Sequence, residues 1–413
     1  MQFRASRWFQ SALGTFTRRR LFAGGAAALA PALEARERLL YEDSIYQRLL
    51  GVRPILTCRG HTTAFGGSRM PPEVLRALEQ ANDVFVDMGE LQAAAGRRIA
   101  SLMKTEAAMV SAGSFSAMLL GAAACLTLKD PAKIDALPHP TWPRREVVIQ
   151  KAHRVVYDRA YRAAGANIVE VVTREQFLNA ISANTAMLAA LASADHAPAA
   201  ETMSIQEYIE IGRRTGVPVL VDAASELPPV TNLHRWSAAD LVVFSGGKGL
   251  QGPQSTGILA GRKELIEAAL LNASPHASIG RGMKVGKEEI VALVVALERY
   301  AMLDHETVIA SWNKKARFLA EQLHGIPGFT ATYRLNRSGF GEVRIDWDQR
   351  VIPLTGKQAA EKLLNGEPRI MYYDDDTGGV LQTRCMNDGD EILAARRLRR
   401  FFLSEARTEG AKA

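Results

Sequence analysis

The 413-residue chain is 47% hydrophobic, enough to fill more than one packed core. Its formal net charge of +7 invites a nucleic-acid partner, yet five arginines and no acids fall in residues 1–33, which leaves +2 for the rest. A near-neutral body demands no basic face, so nucleic acid is not an expected partner. Cys58, Cys125 and Cys385 lie far apart and outside any CxxC, which excludes a disulfide framework, and no metal site is expected.

At the N-terminus, Thr17-Arg18-Arg19-Arg20-Leu21-Phe22 precedes a short, small-residue apolar run ending near Pro31-Ala32-Leu33. Adjacent arginines before such a run resemble a twin-arginine export signal, with cleavage near Ala30 or Ala32 and a periplasmic destination. The alternative is an amphipathic helix in a cytoplasmic protein. The run is too short to span a bilayer in the mature chain. Residues 34–62 read as an N-terminal helix (Glu34 to Leu50) and arm, broken at Gly51-Val52-Arg53-Pro54. A short strand, Ile55 to Cys58, leads into the polar, glycine-rich loop Arg59 to Ser68.

Residues 63–303 read as one large domain. Helices are expected from Pro71 to Ala81 and from Gln92 to Met103. Ala107 to Ser116 reads as a small-residue loop opening a long apolar helix, Ala117 to Leu128. Free N–H groups and hydroxyls at such a helix start suit an anion, which makes Gly113, Ser114 and Ser116 phosphate candidates; a plain N-cap is the other reading. Residues 129–145 read as a surface connection. Strands 146–150, 167–171, 187–191 and 217–222 then alternate with helices 156–164, 174–184 and 205–215. That alternation gives an α/β fold with a mostly parallel sheet, whose ligands sit at the carboxyl ends of the strands.

Three chemically active residues fall at those ends. Asp222 closes an apolar strand, where an unpaired carboxylate is costly, so it needs a cationic partner. His153 follows strand 146–150 and offers a flat ring. Lys248 sits 26 residues after Asp222 in Phe244-Ser245-Gly246-Gly247-Lys248-Gly249, where the glycines clear the approach of a bulky ligand. A desolvated lysine there suits a Schiff base with a carbonyl cofactor; an exposed lysine in a glycine turn is the alternative. After a returning strand, 255–261, the stretch Ile279 to Lys287 is basic and glycine-rich. Arg281 and Lys284 there are candidates for an acidic substrate, and Lys284 and Lys287 are rival Schiff-base lysines that follow no buried strand. Residues 304–413 alternate helices and short strands as a smaller α+β domain, with Arg384 a candidate for a substrate carboxylate.

The segments VDAASELPP (221–229) and DLVVFSGGKGLQGPQSTGILAGRKELIEAA (240–269) resemble fold type I pyridoxal-phosphate enzymes. More narrowly, they are similar to the group around bacterial selenocysteine synthase and D-glucosaminate-6-phosphate ammonia-lyase. FGGSRMPPEVLRAL (65–78), VFVDMGELQAAAGRRIA (84–100), AAMVSAGSFSAMLLGAAACLT (107–127), QKAHRVVYDRA (150–160) and IGRGMKVGKEEI (279–290) extend the likeness over residues 50–300. The resemblance implies an aspartate aminotransferase-like fold and pyridoxal 5'-phosphate as cofactor. It further implies Lys248 as the internal aldimine, Asp222 on the pyridine nitrogen, His153 stacked on the ring, and the phosphate in the Gly113–Ser116 loop with Ser245. It also implies assembly as a dimer or larger homo-oligomer. Two departures stand out. Gly247 replaces an acid and Gln251 interrupts a double glycine; and Cys58-Arg59-Gly60-His61 stands where relatives tend to have an asparagine-alanine-x-glycine pattern.

The expected activity is a pyridoxal-phosphate-dependent lyase reaction, β-elimination from an amino acid or amino sugar acid, with Lys248 as the base at Cα. β-Replacement of the selenium-transferase kind and racemisation share every step up to the carbanion. A catalytically inactive exported binding protein is the alternative of another class.

Overall fold

The computed structural model describes residues 26–40, 43–196 and 201–406. The arginine cluster of the expected signal lies outside them. The described residues divide into two compact units, His61–His305 and a second made of those before position 61 together with those from Glu306 onward. The arm at residues 43–60 thus belongs with the C-terminal segment.

The larger unit is built on a seven-stranded sheet. Its strands are β1 (Ala107–Ser111), β2 (Glu146–Gln150), β3 (Asn167–Val171), β4 (Thr185–Leu191), β5 (Val219–Asp222), β6 (Leu241–Ser245) and β7 (Gly257–Gly261). Their order across the sheet is β1-β7-β6-β5-β4-β2-β3. β6, β5, β4, β2 and β3 are mutually parallel, and β7 runs antiparallel to both neighbours, β1 and β6. A right-handed crossover needs about a dozen residues or more. The Gly246–Thr256 connection is shorter than that and holds no helix, so β7 must return antiparallel.

Strands β5 and β6 are buried on both faces, with Val219, Leu220, Val221, Val242, Val243 and Phe244 at 2% exposure or less. Each such side chain contributes about 1.5–3 kcal/mol by leaving water, which fixes the register of the two residues that end the strands, Asp222 and Ser245. On one face of the sheet lies helix Gly113–Thr127, buried from Ser116 to Thr127. On the other lie helices Met88–Met103, Ile205–Thr215 and Lys287–Met302, whose apolar sides join one core with Val221, Val242 and Phe244.

Sequence periodicity misplaces two parts of this unit. β1 reads as loop because Ala-Ala-Met-Val-Ser is weak in β-branched residues; pairing with β7 along its whole length makes it a strand. The apolar helix starts at Gly113, not Ala117, so its first turn lies immediately after β1.

The smaller unit holds a four-stranded antiparallel sheet ordered 373–374, 378–382, 341–347, 329–335, covered by helices His305–Gln322, Gly356–Asn365 and Asp390–Glu405. Leu56–Thr57 pairs in parallel with Ile370–Met371. The N-terminal segment forms two helices, Ala26–Leu39 and Ile45–Leu50, rather than one. Ser44 caps the second, accepting the Tyr46 N–H at 3.2 Å. No helix among the described residues is long and apolar enough to cross a membrane.

Candidate active site

At the carboxyl edge of the large sheet, the ends of β1, β4, β5 and β6 open on a cavity of about 390 Å³. It is lined by Gly113, Ser114, Phe115, Asp222, Ser245 and Lys248, and by Thr63, Leu191, Ser193, Ser225, Glu226 and Gln254. Five of the residues singled out in the sequence therefore meet in one place, and the volume suits a drug-sized ligand.

Lys248 follows β6 in a turn that has no room for side chains. A Cβ on Gly247 would stand 2.5 Å from the Gln254 Cα. The Gly247 carbonyl accepts both the Ser68 N–H and the Ser68 hydroxyl at 2.9 Å, which ties the 61–68 loop to the lysine turn. Lys248 Nζ donates to Ser225 Oγ at 2.5 Å. The next positions explain a departure from the family pattern. Gln251 takes a left-handed φ of 59°, the conformation glycine favours, and its Oε1 accepts from the Arg299 guanidinium at 3.1 Å.

Asp222 is 7% exposed and accepts the Ala224 N–H at 3.0 Å. Burial pushes its carboxyl above the ordinary range, and the Ala224 N–H and the Lys248 charge pull it back down. A cation delivered by a ligand would relieve that burial. Across the cavity, the helix beginning at Gly113 has no side-chain cap, so its first N–H groups are free for an anion. The β7 strand starts against it: a Cβ on Gly257 would lie 2.4 Å from the Gly113 carbonyl carbon.

Four of the expected residues lie outside this cavity. His153 is 1% exposed and does not line the cavity. Its Nδ1 accepts the Leu191 N–H at 3.1 Å, its Nε2 bonds the Met203 carbonyl at 2.9 Å, and its ring lies 4.9 Å from that of Tyr208. With Nδ1 accepting, the proton is on Nε2, and burial lowers the ring's affinity for a second one. The ring thus braces the end of β4 through the Leu191 N–H. Ser116 turns its hydroxyl back to the Ala112 carbonyl at 2.7 Å, one helical turn away, and takes no part in the cavity. Arg281 and Lys284 line a separate cavity of about 250 Å³ with Met88, Gln92 and Ser111.

Of the remaining candidates, Lys287 bonds the Ala81 carbonyl at 2.7 Å and is paired with Glu288. Arg384 belongs to the smaller unit, where its guanidinium lies 5.2 Å from the Phe340 ring centroid and its buried Nε has no hydrogen-bond partner. No group of three or more potential metal ligands occurs among the described residues.

Sequence reasoning missed Ser225, Glu226, Thr63 and Gln254. Ser225 and Glu226 follow Asp222 closely, so their position beyond a ligand-facing strand end was the available signal.

A strand-end lysine, a buried carboxylate and an uncapped helix start lie around one cavity, and these residues fit what a pyridoxal phosphate would need. Comparison with known proteins agrees. A family model described as L-seryl-tRNA selenium transferase matches residues 143–323. A 5'-C-glycyluridine monooxygenase-decarboxylase from a Streptomyces species is 32% identical over 375 residues, covering 87% of this chain and 92% of the relative. D-glucosaminate-6-phosphate ammonia lyase of Salmonella typhimurium is 30% identical over 86% of this chain and 97% of its own length. A solved structure of a D-glucosaminate-6-phosphate ammonia-lyase superposes with a TM-score of 0.78 at 28% identity, over 88% of this chain and 99% of that one. The chain belongs to the family of fold type I pyridoxal-phosphate-dependent lyases and transferases that includes these ammonia lyases and the selenium transferases.

Proposed function

We propose that this chain binds pyridoxal 5'-phosphate in the Lys248 cavity and eliminates a β-substituent from an amino acid or amino sugar acid. The observation that carries the reading is the convergence of Lys248, Asp222 and the free helix start at Gly113 on one cavity. Asp222 would hold the pyridine nitrogen protonated. Gly113 and Ser114, with Ser245, would take the phosphate. Bound there, the cofactor supplies an electron sink for the charge that develops at the substrate Cα. Lys248 would take the Cα proton, and its Ser225 contact gives the amine a resting partner when it is not bound to the cofactor.

Protein reconstituted with pyridoxal phosphate should show a visible absorption band that Lys248→Ala abolishes. A colourless wild type that retains no added cofactor would overturn the reading and favour the inactive exported binding protein. A second reading is β-replacement. It is favoured by the selenium-transferase family model over residues 143–323, and the two are told apart by assaying ammonia release with and without an added nucleophile. Carbon dioxide release in the same screen would point to the chemistry named for the Streptomyces relative. Exchange of the Cα proton with neither product would point to racemisation.

A homo-oligomer is part of the proposal. Leu75, Val84, Phe85 and Val86 of the large unit, and separately Ile45, Tyr46, Leu49 and Leu50 of the smaller one, are 48–96% exposed. Apolar clusters of that kind mark protein contacts. Sedimentation velocity of the full chain tests it. Twin-arginine export to the periplasm rests on Arg18, Arg19 and Arg20; the N-terminal sequence of the protein recovered from cells tests it.

A further inference from the structure

Beside Lys248 the cavity holds a second acid-base group, to which the elimination reading assigns no role. Glu226 lines the cavity and is 7% exposed. Its backbone is pinned on both sides: its N–H donates to the Ala223 carbonyl at 3.1 Å, and its carbonyl accepts the Asn232 amide at 2.7 Å. Its Oε2 lies 2.6 Å from His196 Nε2, and Oε1 makes no hydrogen bond among the described residues. His196 is itself half-buried, with a side-chain exposure of 23%. A carboxylate facing a ligand cavity and backed by an imidazole that reaches toward water is a proton store with a refill route.

We propose that Glu226, recharged through His196, is the acid that protonates the heteroatom leaving Cβ. This rests on the elimination reading. With serine as the simplest case, the Cα–H bond breaks and its proton goes to Lys248 Nζ. The Cβ–O bond breaks, its electron pair stays on oxygen, and that oxygen takes the proton of Glu226 and departs as water. His196 passes a solvent proton back to Glu226. Hydrolysis of the released enamine yields pyruvate and ammonia, and no oxidant or reductant is required. A poor leaving group needs this acid and a good one does not, which separates the role from mere support of the cavity.

The test uses full-length protein loaded with pyridoxal phosphate and three racemic probes: serine, β-chloroalanine and alanine. In Glu226→Gln and His196→Gln, pyruvate formation from serine should fall about 10²- to 10³-fold, the size of one general-acid contribution. Formation from β-chloroalanine, whose chloride leaves unprotonated, should change less than about threefold, and so should exchange of the alanine Cα proton with heavy water. In the cofactor-free protein, the proton NMR spectrum should carry a downfield imidazole N–H resonance that His196→Gln removes and Glu226→Gln moves upfield. Serine and β-chloroalanine rates falling together would make the pair structural and overturn the proposal. So would an unchanged serine rate, or the absence of the imidazole resonance. A wild type that exchanges alanine yet makes no pyruvate from β-chloroalanine would refute the elimination reading itself, and the acid role with it.

Discussion

Replacing Gly247 by alanine tests whether the lysine turn is held by packing. The added Cβ would stand 2.5 Å from the Gln254 Cα and 3.1 Å from its carbonyl oxygen, and ordinary contact begins at 3.4 Å. One backbone must therefore move by roughly 0.9 Å relative to the other, in a region where small shifts are resisted by close packing. The Gln254 amide oxygen, at 2.7 Å, can swing aside; the Cα cannot. The movement also strains the two Ser68 bonds to the Gly247 carbonyl. Overpacking of this kind costs about 1–3 kcal/mol. In the large unit that corresponds to a melting temperature lower by about 2–12 °C. Differential scanning calorimetry of the cofactor-free protein reads it, with Gly282→Ala as the control, since a Cβ there meets nothing within 4 Å. The displaced turn should also weaken pyridoxal phosphate binding, read by titration of the visible band. A Gly247→Ala protein that melts within a degree of wild type and binds cofactor normally would refute the packing argument.

Asp222→Asn should separate stability from binding. The buried carboxyl has a raised pKa, so folding favours its neutral form. Asp222's contribution to the stability of the cofactor-free wild type is then most favourable below the ordinary value of 3.8 and declines as pH rises through the raised value. The amide that replaces the carboxyl never ionises, so urea melts should show the variant gaining on wild type as pH rises. Its cofactor affinity should drop roughly ten- to a hundredfold with loss of a charged hydrogen bond worth about 1.5–3 kcal/mol. Gly257→Ala drives a Cβ to 2.4 Å from the Gly113 carbonyl carbon and should weaken cofactor and inorganic phosphate binding together, by calorimetry. Arg36→Ala leaves the Asp390 carboxylate, 3% exposed, without its bidentate partner at 2.5 and 3.1 Å; the smaller unit should lose about 1–3 kcal/mol in a urea melt.

Much of the large unit is legible in the sequence because its strands are apolar on both faces and end in charged or glycine-rich turns. Lys248 and Asp222 are found that way, since a charge after a buried strand has few places to go. β1 is not legible, because small residues carry no strand preference and its partner, β7, lies about 150 residues further on. The surroundings of His153 are not legible either. It falls at a strand end like the other two, but a histidine satisfies itself with backbone partners when buried, and the Leu191 N–H and Met203 carbonyl that do so come from segments 38 and 50 residues away. The Glu226–His196 contact spans 30 residues and depends on where the segment after β4 turns, which no local pattern fixes.

The departures from the family pattern around Lys248 bear on packing more than on chemistry. An acid at position 247 would have to occupy the space filled by the Gln254 backbone, so its loss here goes with a tighter turn. Gln251 keeps the left-handed backbone that glycine would supply and exchanges some strain for a bond to Arg299. Neither residue lines the cavity. These two departures therefore do not choose among elimination, replacement and racemisation. That choice falls to groups that line the cavity, Glu226 among them. If its removal spares β-chloroalanine and not serine, the reaction is distinguished by an acid just beyond Asp222, not by the lysine turn that identifies the family.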